Sequence, residues 1–407
     1  MAGSLDYDIV IAGAGMVGAS LAIALAPTGL RIAIIESVSP RNTDESSFDD
    51  RGITLAPSSR RIFERLGVWQ QLQSECYPIK NIHVSEQGRF GFARLRANEV
   101  GCEELGYVVL ARALGQALLA DLQLHDNIEL VCPAELKQFE RDGKIMQVTW
   151  QQQGELRHVR AGLLVGADGS HSLVRRLAGI NVQQKDFEQT AIVANITTQK
   201  SNQATAYERF TPHGPIALLP IGENRSVLVY VVDRNKAHTC MTMPEAEFVQ
   251  QVQQELGRRL GRIEQLGKRR SYPLLFQQAQ TQYQPQLLLL GNSVHTLHPN
   301  AAQGFNLGLR DVAGLVDAVH DGLQQGMVVN DVRILEQYTA SREADQKRVI
   351  RFTNGLASTF YNNWPLLVSA RNSLMLLVDI VPALKQQIVT TAMGKSGQQP
   401  RLVRGNA

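Results

Sequence analysis

Hydrophobic and polar positions fall into three textures along the chain. The first opens on Asp6-Tyr-Asp-Ile-Val-Ile-Ala, passes through Gly13-Ala-Gly15-Met-Val-Gly18 and an Ala/Leu/Ile-rich stretch over 19–26, and turns at Pro-Thr-Gly into Arg31-Ile-Ala-Ile-Ile-Glu36. This order predicts a strand, a glycine turn, a helix and a second strand. Further on, 110–122 carries helical periodicity, 128–131 and 147–151 read as strands, and 162–166 is a buried strand ending at Asp168-Gly169. The second texture spans 189–233, where short strands over 191–197, 204–210, 216–221 and 226–232 alternate with turn residues and predict an antiparallel sheet. A helix over 245–260 leads to Leu287-Leu-Leu-Leu-Gly291, an apolar run of the kind buried on both faces of a parallel sheet. The third texture is helical, over 309–324, 333–360 and 366–381, interrupted by Pro365 and Pro382. The last dozen residues, with Gly397 and Pro400, read as a frayed tail.

Composition narrows the classes. The chain has 407 residues, 44% hydrophobic and 19% charged, enough for a large core and unlike a disordered or disulfide-stapled chain. Its 41 Lys and Arg against 38 Asp and Glu give a net charge of +3, too weak a bias for a nucleic-acid reader. Cys76, Cys102, Cys132 and Cys240 are scattered, with no zinc-ligand spacing, so they read as reduced, packed thiols. The N-terminus shows no secretory signal, and the most apolar stretch, 366–384, is broken by Arg371, Asn372 and Asp379. The expectation is a cytoplasmic protein that does not span a bilayer but is able to lie on one.

Three segments carry chemistry. In Gly13-x-Gly15-x-x-Gly18 the glycines permit a tight turn, close approach to a pyrophosphate and helix-on-strand packing. Glu36, at the end of the next strand, is placed to accept ribose hydroxyls. NAD and FAD use this turn alike, and one copy does not decide between them. The second segment sets Asp168-Gly169 after an apolar strand, followed by Ser172 and Arg175 opening a helix. The third runs from Gly291-Asn292 through His298-Pro299 to Gly304-Phe305-Asn306, a loop opening another helix.

Together, in this order and spacing, the three segments resemble the class A flavoprotein aromatic hydroxylases, the group of para-hydroxybenzoate hydroxylase. Phe48-Asp-Asp-Arg51-Gly-Ile-Thr-Leu, Leu66-Gly-Val-Trp69, Tyr207-Glu-Arg-Phe-Thr-Pro-His213-Gly-Pro-Ile-Ala-Leu-Leu-Pro220 and the run from Gly291 to Arg310 resemble, more closely still, the ubiquinone-biosynthesis hydroxylases. The resemblance implies an α/β protein: a Rossmann-like FAD-binding domain (1–75, 105–182 and 277–330), an inserted, mainly antiparallel substrate domain (76–104 and 183–276) and a helical C-terminus (331–407). It implies an FAD monooxygenase that hydroxylates a prenylated phenol through a flavin C4a-hydroperoxide, with O2 as co-substrate and NAD(P)H or another reductant as transient electron donor. Partners implied are the phenol, a ubiquinone-biosynthesis protein complex and a membrane surface; the 364–378 stretch reads as an interfacial helix or partner surface, or else as a helix packed on the protein's own core. By the same resemblance, Gly13, Gly15, Gly18 and Glu36 hold the adenosine diphosphate end, Arg51, Arg112 and Gln116 the ribityl and phosphate groups, and Asp168 and Gly169 the second fingerprint. Gly291, Asn292, Pro299, Gly304, Phe305 and Asn306 border the flavin. One position departs from the family: Asn292 stands where an aspartate usually accepts from a ribityl hydroxyl, and an amide oxygen accepts that bond without the charge.

No catalytic acid or base is named from sequence. His213 and His298 are candidates for relaying the phenol proton, although a loop histidine is more often a plain hydrogen-bonding residue. His295 and His298 lack a carboxylate partner in sequence and are not read as a metal site. Competing readings are a flavin oxidase or dehydrogenase, a non-catalytic subunit holding FAD or prenyl phenol, and a nicotinamide-only dehydrogenase. The last is disfavoured by the absence of a second glycine-rich unit.

Overall fold

The computed structural model describes residues 4–39, 51–298, 302–361 and 365–404. Its first sheet has five parallel strands in the order Leu287–Leu289, Glu155–Gly166, Tyr7–Ala12, Ile32–Ile35 and Ile128–Val131. Successive side chains of a strand point to opposite faces, and here both faces are covered. Ile9 and Ile11 enter a core built with the helices Met16–Leu25, Ala111–Leu122 and Gln303–Gln324. Val10 and Ala12 enter another with Val148 and Trp150 of the hairpin Glu135–Asp142/Ile145–Gln152. Burial on both sides is why the strand is apolar without alternation, and each fully buried isoleucine contributes roughly 1.5–3 kcal/mol.

The second sheet runs His295–Thr296, Arg270–Ala279, Val182–Thr198, Arg225–Asp233, Gly214–Pro220, Thr205–Thr211, Asn81–Glu86 and Phe92–Arg96. Its ladders are antiparallel except where Thr205–Thr211 lies parallel to Asn81–Glu86. One face packs Ile216, Leu218, Leu228 and Tyr230 against Phe248 and Val252 of the helix Glu245–Leu256. The other face turns toward the first sheet. A small sheet of Gly52–Leu55, Gly106–Leu110 and Tyr77–Ile79 lies between chain segments serving both. The fold is therefore α/β, with a Rossmann-like half, a mainly antiparallel sheet and a helical C-terminus.

Three sequence expectations need correction. The helix expected over 245–260 stops at Leu256, where Gly257 turns the chain toward the strand Ile263–Leu266. The helix expected from 309 begins at Gln303, so its first two turns carry Gly304, Phe305 and Asn306. The tail is docked rather than frayed as far as it is described, to residue 404: the Arg401 amide donates to Asp317 Oδ2 at 2.9 Å, its guanidinium pairs with Asp321 at 2.5 Å, and Val403 is buried in the first core. Glycine and proline content hid a segment anchored by one charged and one apolar residue.

Beneath the site, charged side chains lock the C-terminal helices together. Asp311 accepts from Arg342 Nε at 2.8 Å and bonds His295 Nε2 at 3.1 Å, while Asp345 accepts from Arg310 Nε at 2.9 Å and Arg342 Nη2 at 2.5 Å. The cluster joins the helices Gln303–Gln324 and Val332–Tyr361 to the strand His295–Thr296. His295 is thereby committed to Asp311.

Candidate flavin site

At the end of the first strand the Gly13 amide donates to Ile35 O at 2.8 Å, and Gly13 takes a left-handed φ of 101°. A Cβ at Gly13 would lie 2.6 Å from Ala167 O, and one at Gly18 would lie 2.0 Å from Gly13 O. Only glycine lets the turn lie against Ala167 and the helix against the turn. Gly15 caps the helix Met16–Leu25 without any side-chain hydrogen bond, and the first turn holds no acid. Its leading N–H groups are left open, a terminus suited to an anion. Over the same turn, Glu36 Oε2 accepts from Ala14 N and Oε1 from Val38 N, each at 2.9 Å. Both oxygens keep acceptor capacity while their orientation is fixed.

Asp168 follows the neighbouring strand and, with Gly169 behind it, approaches this turn from the side; the Cβ position of Gly13 is 3.0 Å from Asp168 Cα. Its Oδ2 caps the helix Leu173–Leu177 through Leu173 N at 2.7 Å and Val174 N at 3.0 Å. Its Oδ1 is buried and has no partner among the described residues. A buried acceptor left unpaired costs free energy, so this oxygen marks a place for a donor.

The third segment converges on the same helix. Val17 packs against both Gly291 and Gly308, where an added Cβ would lie 3.2 Å from its side chain. Asn292 is exposed beside Gly291, and its carbonyl accepts from Thr296 Oγ1 at 3.2 Å. Pro299 lies outside the described residues. The helix Gln303–Gln324 opens from Ala302 with no side-chain cap, Gly304 has open space at its Cβ position, and Phe305 stacks on Phe63 at 6.3 Å. Asn306 is committed internally: Oδ1 accepts from Ala56 N at 2.8 Å and Ser59 Oγ at 2.7 Å, and Nδ2 donates to Thr54 O at 2.8 Å and Ala302 O at 2.9 Å. It fastens the helix opening to the segment that follows Arg51.

The arginines stand on the adjoining edge. The Arg51 guanidinium sits 4.8 Å over the Tyr272 ring, and its carbonyl accepts from Ala111 N at 2.9 Å, at the start of the helix bearing Arg112. Arg112 and Gln116 are exposed one turn apart on that helix.

Between this assembly and the free face of the second sheet lies a cavity of about 350 Å³, bordered by Gly52, Thr54, Asn292, Ala302, Gly304 and Phe305 on one side. Ile82, Ala206, Ala217, Leu219 and Val229 form its other wall. His298 is fully buried in the lining, its ring 4.7 Å from that of Phe187. His213 is elsewhere, half-exposed beside Asp233 and Lys236.

One further residue in that wall escaped sequence reasoning. Glu208 stands opposite Ala217 in one ladder and Val84 in the other, so its side chain shares the apolar cavity face. Burial pushes its carboxyl up to about 7. The signal was a lone glutamate alternating with Ala206 across from the Ile216-Ala-Leu-Leu strand.

The sequence from 6 to 353 matches the family described as FAD binding domain, and the chain belongs to that family. Relatives of nearly full length include ubiquinone hydroxylase UbiL of Rhodospirillum rubrum, 33% identical over 99% of this chain and 94% of that one. A second is the 3-demethoxyubiquinol 3-hydroxylase of Escherichia coli, 30% identical over 95% and 98%. Among solved structures, p-nitrophenol 4-monooxygenase PnpA of Pseudomonas putida DLL-E4 superposes with a TM-score of 0.80 at 15% identity, covering 96% of this chain and 99% of that one, a likeness of fold. The chain is an FAD-dependent monooxygenase of the ubiquinone-biosynthesis hydroxylase group. The residues present fit the cofactor: open helix N–H groups and the oriented Glu36 suit a diphosphate and ribose, and the unpaired Asp168 oxygen awaits a donor.

Proposed function

We propose that this chain hydroxylates the phenol ring of a polyprenylated ubiquinone precursor, with 2-octaprenyl-6-methoxyphenol as its substrate, using O2 and electrons from NAD(P)H or another reductant. The observation that carries the reading is the apolar cavity of about 350 Å³ set between the flavin-site segments and the sheet. Bound FAD supplies the oxygen activation. The chain's own part is to bind and orient the ring and keep water out. Val17, Gly291 and Gly308 set the packing of the two helices against the loop between them, and Asn306 fixes the helix whose open end borders the cavity. Such a helix end favours negative charge by about 0.3–2 kcal/mol. By the family's pattern, Gly13, Gly15, Gly18, Glu36, Arg51, Arg112 and Gln116 take the nucleotide, and Asn292 accepts from the ribityl chain.

A prenyl tail also calls for a lipid surface. On the helix Pro365–Ile380, Leu376, Leu377 and Ile380 are exposed on one side while Met375 and Val378 are buried. Phe90, 96% exposed, lies at the hairpin whose Gly91 amide donates to Asn372 of that helix. An apolar helical face of this kind supports peripheral binding to a bilayer. Among the described residues, no helix is long and apolar enough to cross a membrane.

A sister reaction at another ring position is the second reading, favoured by the likeness to a 3-demethoxyubiquinol 3-hydroxylase. Deleting the chain in its host and identifying the accumulating quinone precursor tests both. Build-up of 2-octaprenyl-6-methoxyphenol supports the first, a later methoxylated ring the second, and unchanged quinone refutes either.

A further inference from the structure

We propose that Glu208 is the general base of the hydroxylation, taking the proton of the substrate's phenolic oxygen at the sheet wall of the cavity. This rests on the reading of that cavity as the phenol site.

Geometry carries the assignment. The wall is built from neighbouring strands whose cavity-facing positions, Ile82, Ala206, Ala217, Leu219 and Val229, are apolar. Glu208 stands among them, directly across from Ala217, whose methyl leaves its carboxyl room. The carboxyl has no hydrogen bond or ion pair among the described residues. A carboxyl placed on such a wall without a partner is a cost to folding, and a phenolic O–H supplies the missing bond.

Neighbouring charges do not cancel the effect. Across the cavity stands the buried His298, and next along the strand Tyr207. A second hollow, which Glu208 also borders, holds His83, Glu86, Arg89, Arg209, Arg258 and Arg259. Arg209 points to the opposite face of the sheet, alternating with Glu208, and burial alone accounts for the raised carboxyl. A carboxylate in its ordinary range is a weak base toward a phenol near pKa ~10. One near 7 is still ionised for a good part at neutral pH and much better matched to that proton.

The step balances simply. The phenolic O–H bond breaks, its electron pair stays on oxygen and enriches the ring, and a carboxyl O–H bond forms on Glu208. A ring C–O bond then forms to one atom of O2 as the O–O bond breaks, the other atom leaving as water on two electrons from the reductant. The hydrogen displaced from carbon leaves to solvent as a proton, and Glu208 returns its own to the carbonyl oxygen as the ring becomes aromatic again.

The test uses FAD-loaded enzyme and 2-methoxy-6-prenylphenol, a one-isoprene analogue. Infrared difference spectra of the wild type between about pH 6 and pH 8 should lose the carbonyl stretch of a protonated carboxylic acid, and Glu208→Gln should lack that change while keeping its flavin absorbance. Glu208→Gln should turn over about 10²-fold more slowly and lose the fall in kcat on the acid side of neutrality, while Glu208→Asp keeps that limb with a smaller loss. A glutamine variant within about threefold of wild type, with the same acid limb or the same infrared change, overturns the assignment of Glu208 alone. Wild-type holoenzyme that forms no hydroxylated phenol at any pH overturns the functional reading and this role together.

Discussion

At Gly18 a single methyl group meets backbone: its Cβ would stand 2.0 Å from the Gly13 carbonyl oxygen, with no flexible side chain to yield. Gly18→Ala must therefore push the helix off the turn, and the Kd for FAD should rise more than tenfold (about 1.4 kcal/mol), read by fluorescence titration of the apoprotein. Asn292→Asp works in the other direction. It restores a charged acceptor where the family has one, and a charge-assisted hydrogen bond is roughly twice as strong as a neutral one, so the Kd for FAD should fall several-fold in fluorescence titration of the apoprotein. Unchanged or weaker binding would show that Asn292 does not hold the cofactor. The turn around Gly18 stands out in the sequence because a strand, a glycine spacing and an acid at the next strand's end form a local pattern, whereas Asn292 stands out only through the family resemblance. Asn306 was legible only as part of the flavin loop. Its partners Ala56 and Ser59 lie some 250 residues away in sequence, and no spacing announces them. Glu208 is not legible in the sequence, because its meaning depends on which face of the strand meets the cavity.

The helix Gln303–Gln324 is held in place from behind. Burial alone would raise Asp311 and Asp345, but Arg342 beside both, with His295 on Asp311 and Arg310 on Asp345, holds each carboxyl below the ordinary range. Removing one partner leaves a buried charge uncompensated, which costs about 3–5 kcal/mol. Arg342→Met should lower the thermal midpoint markedly and weaken FAD retention, because the helix bearing Gly304 loses its support. The sign with pH follows from the depressed carboxyls: their contribution is complete above the unfolded value near ~4 and is lost as pH falls through the lower folded values. Melting temperature should drop on acidification below about pH 4 in the wild type, and more shallowly in Asp311→Asn. Element by element, the parallel strands and long helices were readable from periodicity. The helix opening near Gly304 was readable as the end of a glycine-containing loop, although the apolar stripe sets in only at 309; the docked tail was not, because its anchors are tertiary partners.

On the scale of the molecule, the flavin segments come from three distant stretches of chain and the cavity's far wall from the antiparallel sheet. The α/β class and the change of texture near residue 189 were visible in the sequence, whereas the way the sheet closes over the flavin segments required the fold. The exposed Leu376, Leu377 and Ile380 extend the account to the bilayer. The holoprotein should float with vesicles of phosphatidylethanolamine and phosphatidylglycerol, and Leu377→Glu with Ile380→Glu should reduce the bound fraction several-fold at unchanged flavin content, each buried apolar group lost removing part of the hydrophobic gain. Equal flotation of the two proteins would assign membrane contact, if any, to another surface.

The most direct measurement is isotopic. FAD-loaded protein, a nicotinamide reductant, 2-methoxy-6-prenylphenol and 18O2 should give a hydroxylated phenol carrying a single heavy oxygen drawn from O2. Flavin reduced by the phenol itself under anaerobic conditions, with no heavy oxygen in any product, would contradict the account.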